Sequence, residues 1–582
     1  MALILNMSKT PNYDSAVKKI LDQLVPGERV CVLTGEKWLM TDEEIGWYKK
    51  FNVPPSKYSP LTRMCLVNSN FVLFDVWYNY HPETGKPIVS VVHPASGVKV
   101  LPDNEWFQKD FSEYGREVEL KRAFFEQFYD LVRTVPVPAY YNYVAPENSI
   151  AFISLGDQDS YFVIACKSKR TFYGSNAFDV EDTAEVMFSK NVQNSYNVIR
   201  SEKIYNCLFV REAYECTDSS FLFDCRNCEH CFGATNKRHA KYLWFNEQLS
   251  KEEWEKRRAQ VDLSSSSVRI EYEKKFADLV NASVWPENFN LNTDKNAGEY
   301  VTDASDIVHG YNVCPGSQSV HYVNHATPVA SRDSYICAGI YGSSDCYYGL
   351  GFGMCSNVKY SLCVNTNGID LEYCNSCYDC EHCFACVGLR RKKFCLFNKQ
   401  YSEEEYWRLV DELKCAMLER GEYGEFPLMN FSSQYWKNSG SVQLYGATEE
   451  ECRKMGARIF EPGEAGAEGP DANAELIDMS TINDRVSTEE LVGRVFFDSV
   501  AKRRFSYLKQ ELELYEKLRL APPRLHPTRR IQQLYSEMNM PIFMKIPCQK
   551  CGKEIVVAKN NNYPVREIYC RSCYLKYLEE NN

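Results

Sequence analysis

The residues best suited to chemistry lie at the C-terminal end, where Cys548-x-x-Cys551 and Cys570-x-x-Cys573 are separated by 18 residues. Two residues between thiolates let one tight turn present both sulfurs to a single ion, and Gly552 gives the backbone its freedom just after that turn. A pair of such turns at this separation fits a structural site for Zn²⁺. Four thiolates leave no coordination position for a reacting water, so the expected cofactor is one structural Zn²⁺ held by Cys548, Cys551, Cys570 and Cys573. Without a metal, the roughly 40 residues around these pairs would have too small a core to fold alone.

A second run, Cys374, Cys377, Cys380, Cys383 and Cys386, recurs every third residue. Ferredoxin-type ligands are also spaced by two residues, so three readings are open: a stack of buried thiols, a zinc site, and an iron–sulfur or redox role. An earlier copy of the segment reads Leu222, Cys225, Cys228, Cys231 and Ala234 at these positions. Leu and Ala replace a buried thiol but cannot replace a ligand, which favours packing, and no coordination set is assigned. Gly349-Leu350-Gly351-Phe352-Gly353 lacks the final spacing of a dinucleotide fingerprint and reads as tight turns. No P-loop, His-Glu-x-x-His or Gly-x-Ser-x-Gly pattern occurs. His321 and His325 lie four apart and read as ordinary polar residues as often as metal ligands, and His230 and His382 flank the cysteine runs, where a solvated turn is preferred over a ligand role.

The elements that must position these residues are duplicated. Cys228-Glu229-His230-Cys231-Phe232 recurs 152 residues later as Cys380-Glu381-His382-Cys383-Phe384, in a register that holds through Asn246/Asn398 and Ser250/Ser402. Ser250-x-x-Glu253 and Ser402-x-x-Glu405 are capping boxes, so a helix closes each copy. Ahead of each helix, short apolar-aromatic bursts are separated by polar turns, and every second burst falls ~24–26 residues on, as coils of a parallel β-solenoid would. Two β-sandwich domains are the competing reading. A second duplication, offset by 467 residues, relates Tyr48-Lys49-Lys50 through Arg63 to Tyr515-Glu516-Lys517 through Arg530, each a helix broken by prolines.

Cys31-x-x-Thr34-Gly35-Glu36, Glu44-x-x-Trp47-Tyr48-Lys49-Lys50 and Ser59-Pro60-x-Thr62-Arg63 resemble the probable zinc-ribbon family, whose pattern is Cys-x-x-Cys-Gly, a Phe-Tyr-containing helix and Cys-Pro-x-Cys-Arg. Taken whole, the chain is similar to uncharacterised bacterial proteins that combine such ribbons with a Cys-rich repeat segment and a terminal Cys-x-x-Cys-Gly-Lys-Glu-Ile knuckle. The resemblance implies architecture and no activity. It departs at the ligands: the first module has Cys31, Thr34, Ser59 and Thr62, and its 467-residue partner has Asp498, Ala501, His526 and Arg529. Both are expected to be metal-free docking modules.

The resulting expectation is a multi-domain, mainly β protein with some α. A degenerate zinc-ribbon-like module covers 1–75, a β-hairpin plus helix region 76–145, and two β-solenoid repeats with capping helices 146–285 and 286–455. An acidic Gly/Ala/Pro linker follows over 456–485, then a degenerate ribbon or helical module over 486–535 and the zinc ribbon over 541–582. The chain of 582 residues has a formal charge of −11, which argues against a nucleic-acid coat, yet residues 501–582 hold 16 Lys/Arg against 8 Asp/Glu. Arg524, Arg529, Arg530, Lys545, Lys550, Lys553, Lys559, Arg566 and Arg571 are the candidate phosphate contacts of that end. No signal-like or membrane-length apolar run occurs, so a cytoplasmic location with reduced thiols is expected. The expected function is a non-enzymatic zinc-binding scaffold with a protein partner, whose basic end could contact nucleic acid or a ribonucleoprotein. The alternatives are an enzyme acting on carbohydrate through Asp218, Asp224, Asp370 or Asp379 on a β-helix face, and a thiol or metal buffer.

Overall fold

The structure, a computed structural model, describes residues 8–71, 74–293, 297–324, 368–467 and 474–582, with short stretches between 330 and 365. It mixes α-helices with many strands, and its largest sheet is built almost wholly of parallel pairs. From Phe178 the register advances by a constant step, Phe178↔Lys190↔Glu202↔Tyr214 and Leu208↔Ser220↔Phe232↔Trp244. The same step relates Ile369, Glu381 and Lys393 in the second copy. Each layer of the stack therefore takes twelve residues, and the ~24–26-residue spacing of alternate aromatic bursts spans two layers, not one coil. Sandwich packing is excluded for these segments by the parallel ladders.

Within a layer the period is three. Val180, Thr183, Val186, Ser189, Val192 and Ser195 are at most 3 % exposed. The residue before each, Asp179, Asp182, Glu185, Phe188, Asn191 and Asn194, has a φ of 48–56° and lies in the left-handed region. Asn and Asp tolerate that conformation best; Glu185 and Phe188 carry a strain of about 1–2 kcal/mol each, offset by the ladder bonds on either side. The turns leave an interior that accepts one small side chain per triplet. Valine fills it, while serine also closes the backbone: Ser189 Oγ donates to the Met187 carbonyl and accepts from the Ser201 N–H.

The cysteines take the same inner positions. Cys207, Cys216, Cys225, Cys228 and Cys231 belong to one buried cluster, and Cys374, Cys377, Cys380, Cys383, Cys386 and Cys395 to another. Their thiols are donors. Cys216 Sγ donates to the Tyr214 carbonyl at 3.5 Å and the Cys225 carbonyl at 3.6 Å, and Cys386 Sγ to Phe384 at 3.4 Å and Cys395 at 3.3 Å. Burial pushes the Cys207 thiol up to about 12, in keeping with a protonated side chain. The glycine-rich segment at 349–353 and His325 lie largely or wholly outside the described residues.

A helix follows each stack. Ser250 Oγ accepts from the Glu253 N–H at the start of Lys251–Ala259, and Ser402 Oγ from the Glu405 N–H at the start of Glu403–Arg420. His230 lies against Tyr242 and Trp254, and His382 against Phe394 and Trp407. The histidines kept by the duplication thus join the last layer to its helix. Among the described residues, no helix is long and apolar enough to cross a membrane.

The two ends of the chain pack crosswise. Near the N-terminus, His321 meets Glu43 at 2.9 Å, the Tyr13 N–H donates to Asp411 at 2.8 Å, and Trp106 packs on Tyr378, all in or beside the second repeat. Near the C-terminus, Tyr173 donates to Glu511 at 2.8 Å, Lys517 meets Asp182 at 3.1 Å, and Val284–Pro286 pairs in parallel with Glu567–Tyr569 beside the first repeat. Each end also holds the same buried triad. Arg63 donates to Glu44 at 2.6 Å and to the Tyr48 hydroxyl at 3.0 Å; Arg530 donates to Glu511 at 3.1 Å and to the Tyr515 hydroxyl at 2.9 Å. Of the 456–485 segment, Phe460 and Ala467 are buried beside Trp77, and Leu476–Ile477 pairs with Val495–Phe496.

Two outcomes follow from this packing. Arg530→Met leaves Glu511 and Glu185 buried without their cation and should lower unfolding stability by about 3–5 kcal/mol, measured by chemical denaturation. The inner cysteines named above should stay unreactive toward a thiol reagent in the native protein and react only on unfolding, whereas exposed Cys551 reacts once metal is removed.

Candidate metal centre

An antiparallel hairpin, Phe543–Pro547 with Glu554–Ala558, carries the first cysteine pair at its turn. The Cys548 N–H donates to the Lys553 carbonyl and the Gly552 N–H to the Cys548 carbonyl, both at 2.8 Å, with Gly552 at φ 78°. The second pair stands at a helix start: Cys570 is the N-cap of Arg571–Asn581, which puts Cys573 in the first turn on the same side. The four Sγ atoms lie within 4.8 Å of one another, and Cys551 and Cys570 are 3.8 Å apart. A tetrahedron with metal–sulfur bonds of about 2.3 Å has edges of about 3.8 Å, so the donor set fits a thiolate-bound ion.

The surroundings favour thiolates. Burial raises the Cys548 thiol, but N–H groups of Cys570, Cys551 and Lys550 aimed at its sulfur outweigh this and bring it down to about 6. The Cys570 N–H reaches that sulfur at 3.2 Å. Cys548 and Cys570 are buried, Cys573 is half-buried and Cys551 is exposed, so an ion held here is reached from the Cys551 side. Among the described residues, no other group of three or more His, Cys, Asp or Glu ligand atoms converges in this way.

The same turn occurs three more times. At Cys31 the N–H donates to the Glu36 carbonyl at 2.8 Å and Gly35 closes back on Cys31 at 2.9 Å; at His81 the partners are Lys86 at 2.8 Å and Gly85 at 2.9 Å. His81 Nδ1 accepts from the Glu83 and Thr84 N–H groups, and the Asp498 carboxylate from those of Val500 and Ala501, as a knuckle sulfur would. Each turn is bonded to the start of its own helix. Thr62 Oγ1 lies 3.4 Å from Cys31 Sγ, 3.2 Å from Thr34 Oγ1 and 2.9 Å from Ser59 Oγ, which brings all four expected positions of the first module together. In the 467-residue partner, Asp498 accepts from the His526 N–H at 3.1 Å and pairs with Arg529 at 3.1 Å, so a guanidinium occupies the cation's place. His81 Nε2 meets Glu105 Oε2 at 2.9 Å in the third.

The His81 turn was missed in the sequence, although a signal existed. His81-x-x-Thr84-Gly85-Lys86 follows Cys31 by the same 50 residues by which Cys548 follows Asp498. The basic candidates divide sharply. Arg529 and Arg530 are held in the pairs above, and Arg566 is buried and donates to the Asn539 side chain and the Ala558 carbonyl, so none of these three can meet a phosphate. Lys545 pairs with Glu554 and Arg524 donates to the Ile482 carbonyl; Lys550, Lys553, Lys559 and Arg571 stay exposed. No family model, curated protein or solved structure matches the chain.

Cys573→Ala should reduce bound metal from one equivalent per chain to near zero, and acidification should release it as protons compete for the thiolates. Thr34→Cys, Ser59→Cys and Thr62→Cys together complete a second four-thiolate set and should add a second equivalent. Elemental analysis and Co²⁺–thiolate absorption read both.

Proposed function

We propose that the protein is a non-enzymatic scaffold in which two β-solenoid repeats form the body, zinc-ribbon-derived modules clasp it from both ends, and one Zn²⁺ at Cys548, Cys551, Cys570 and Cys573 staples the last module. The observation that carries this reading is the closed, all-thiolate donor set at the point where the final helix meets the first repeat. Tyr574 on that helix bonds to Asp224, and the Asn236 amide donates to the Tyr574 hydroxyl at 2.9 Å. A zinc with four sulfurs offers no site for a water nucleophile, so its contribution is to fold and hold that helix. The inner cysteines, buried and free of disulfides, suit a reducing, cytoplasmic setting.

The geometry lends the rival readings less. Asp224 is committed to Arg238 and Tyr574, Asp218 accepts from Asn206, and Asp370 faces His382 at 3.1 Å, so these carboxylates serve structural partners. A metal buffer would need the inner thiols as ligands, and they donate to carbonyls instead. The faces by which the end modules could recruit other proteins are largely used on the chain's own repeats, which leaves the exposed Lys550, Lys553, Lys559 and Arg571 as the contact for a nucleic acid or an acidic protein partner.

Full-length protein should be retained on immobilised RNA at low ionic strength. Lys550→Glu, Lys553→Glu and Lys559→Glu together should reduce the slope of log affinity against log salt by about 3. Absence of retention removes the nucleic-acid contact and leaves the scaffold; three or more metal equivalents per chain would instead support the buffer.

A further inference from the structure

A cavity of about 310 Å³ lies where three distant parts of the chain meet: the hairpin Trp77–Tyr80 with Pro87–Ser90, the start of the first repeat, and the penultimate module. Its walls are mainly apolar, with Phe74, Trp77, Phe162, Tyr173, Phe505 and Ile531 prominent. Its polar lining combines hydroxyls with N–H donors. His526, which is 7 % exposed, accepts the Thr528 N–H on Nδ1 at 3.1 Å, so its proton sits on Nε2. That Nε2–H has no acceptor among the described residues. Trp77, 2 % exposed, likewise has an indole N–H with no partner.

Two cations complete the lining. Arg503 stacks on Trp77 with its guanidinium 3.9 Å from the ring centre and is balanced by Asp75 at 3.2 Å, and Arg504 lines the cavity beside it. A pocket of this size and apolarity with a few convergent polar groups is the usual form of a small-molecule site. Unpaired N–H groups beside arginine call for an acceptor, and an apolar chamber calls for a hydrophobic body. We propose that this cavity binds a small carboxylate with an aromatic or aliphatic body, its acid group accepting from His526 Nε2–H beside the two arginines and its body lying among Phe74, Trp77 and Phe505. The proposal is independent of the zinc and of the scaffold reading.

Calorimetry on the full-length, zinc-loaded protein with 4-phenylbutyrate, 4-phenyl-1-butanol and 4-phenylbutylamine tests it. The carboxylate should bind once per chain, at least about tenfold tighter than the alcohol, with no saturable uptake of the amine. His526→Asn keeps an oxygen to cap Thr528 but removes the Nε2 donor, and should weaken the carboxylate by about tenfold without changing zinc content. Val89→Trp, from the cavity wall, should abolish uptake of carboxylate and alcohol alike. Equal binding of all three probes, no saturable binding of the carboxylate, or binding unchanged in both variants would overturn the assignment.

Discussion

The width of the stack's interior governs most of this molecule. A layer closed in twelve residues turns every third residue and leaves room inside for one small side chain per turn. The turning residue must enter the left-handed region, which Asn and Asp tolerate best but which Glu, Phe, Tyr, Arg and Lys also adopt here. The inward residue is most often small, although Ile204, Leu222, Leu371 and Leu389 also lie there, and Ser and Cys at these positions return a hydrogen bond to the backbone. A thiol meets both demands, since it has the bulk of a small apolar group and donates weakly to a carbonyl. The cysteine runs therefore belong to the backbone's hydrogen-bond accounts and share nothing but residue type with the metal-binding pairs at the C-terminus.

The four knuckle turns show a second economy. The backbone bonds coincide in the turns at Cys31, His81 and Cys548, and all four differ in the link between the turn and the helix beside it: four thiols, a cluster of three hydroxyls and a thiol, a histidine with a glutamate, an aspartate with an arginine. Each link holds the hairpin at a set angle to its helix. The aspartate–arginine pair supplies its own positive charge where an ion would sit, and the neighbouring Glu–Tyr–Arg triad anchors the helices behind it. The module's shape is thus carried by backbone geometry plus any bonded group of the right span, which explains how the ligand residues diverged while the turns persisted.

Both duplications were legible because they preserve residue identities at fixed offsets, and the zinc pairs because their spacing has few other uses. The layer length was not. A period of three is neither the two of a strand nor the 3.6 of a helix, and the aromatic residues Phe172, Tyr196 and Phe221 belong to the packing around the stack and not to its inner series. The inner series Val180, Thr183, Val186, Ser189, Val192, Ser195 carries the period plainly, but its residues are too mixed in polarity to look like a core. His81 and Glu105 escaped for a related reason: neither is a thiol, and only the shared 50-residue interval exposes them. The inward turn of Arg529, Arg530 and Arg566 depends on partners far away in sequence, which charge counting cannot see.

The crosswise packing of the ends has a consequence for how the chain is made. The module around residues 31–63 rests on surfaces near residues 321–425, and the first repeat waits for cover from residues 498–574. Neither half completes as a local unit, so loop-closure entropy must be met across most of the chain before these contacts form, and assembly belongs to the slow, high-contact-order regime. During synthesis the first stack stands with one side bare until residues 498–574 have been added. A metal held at Cys548, Cys551, Cys570 and Cys573 would fix the helix that covers that side, so metal binding and the closing of the first stack are coupled.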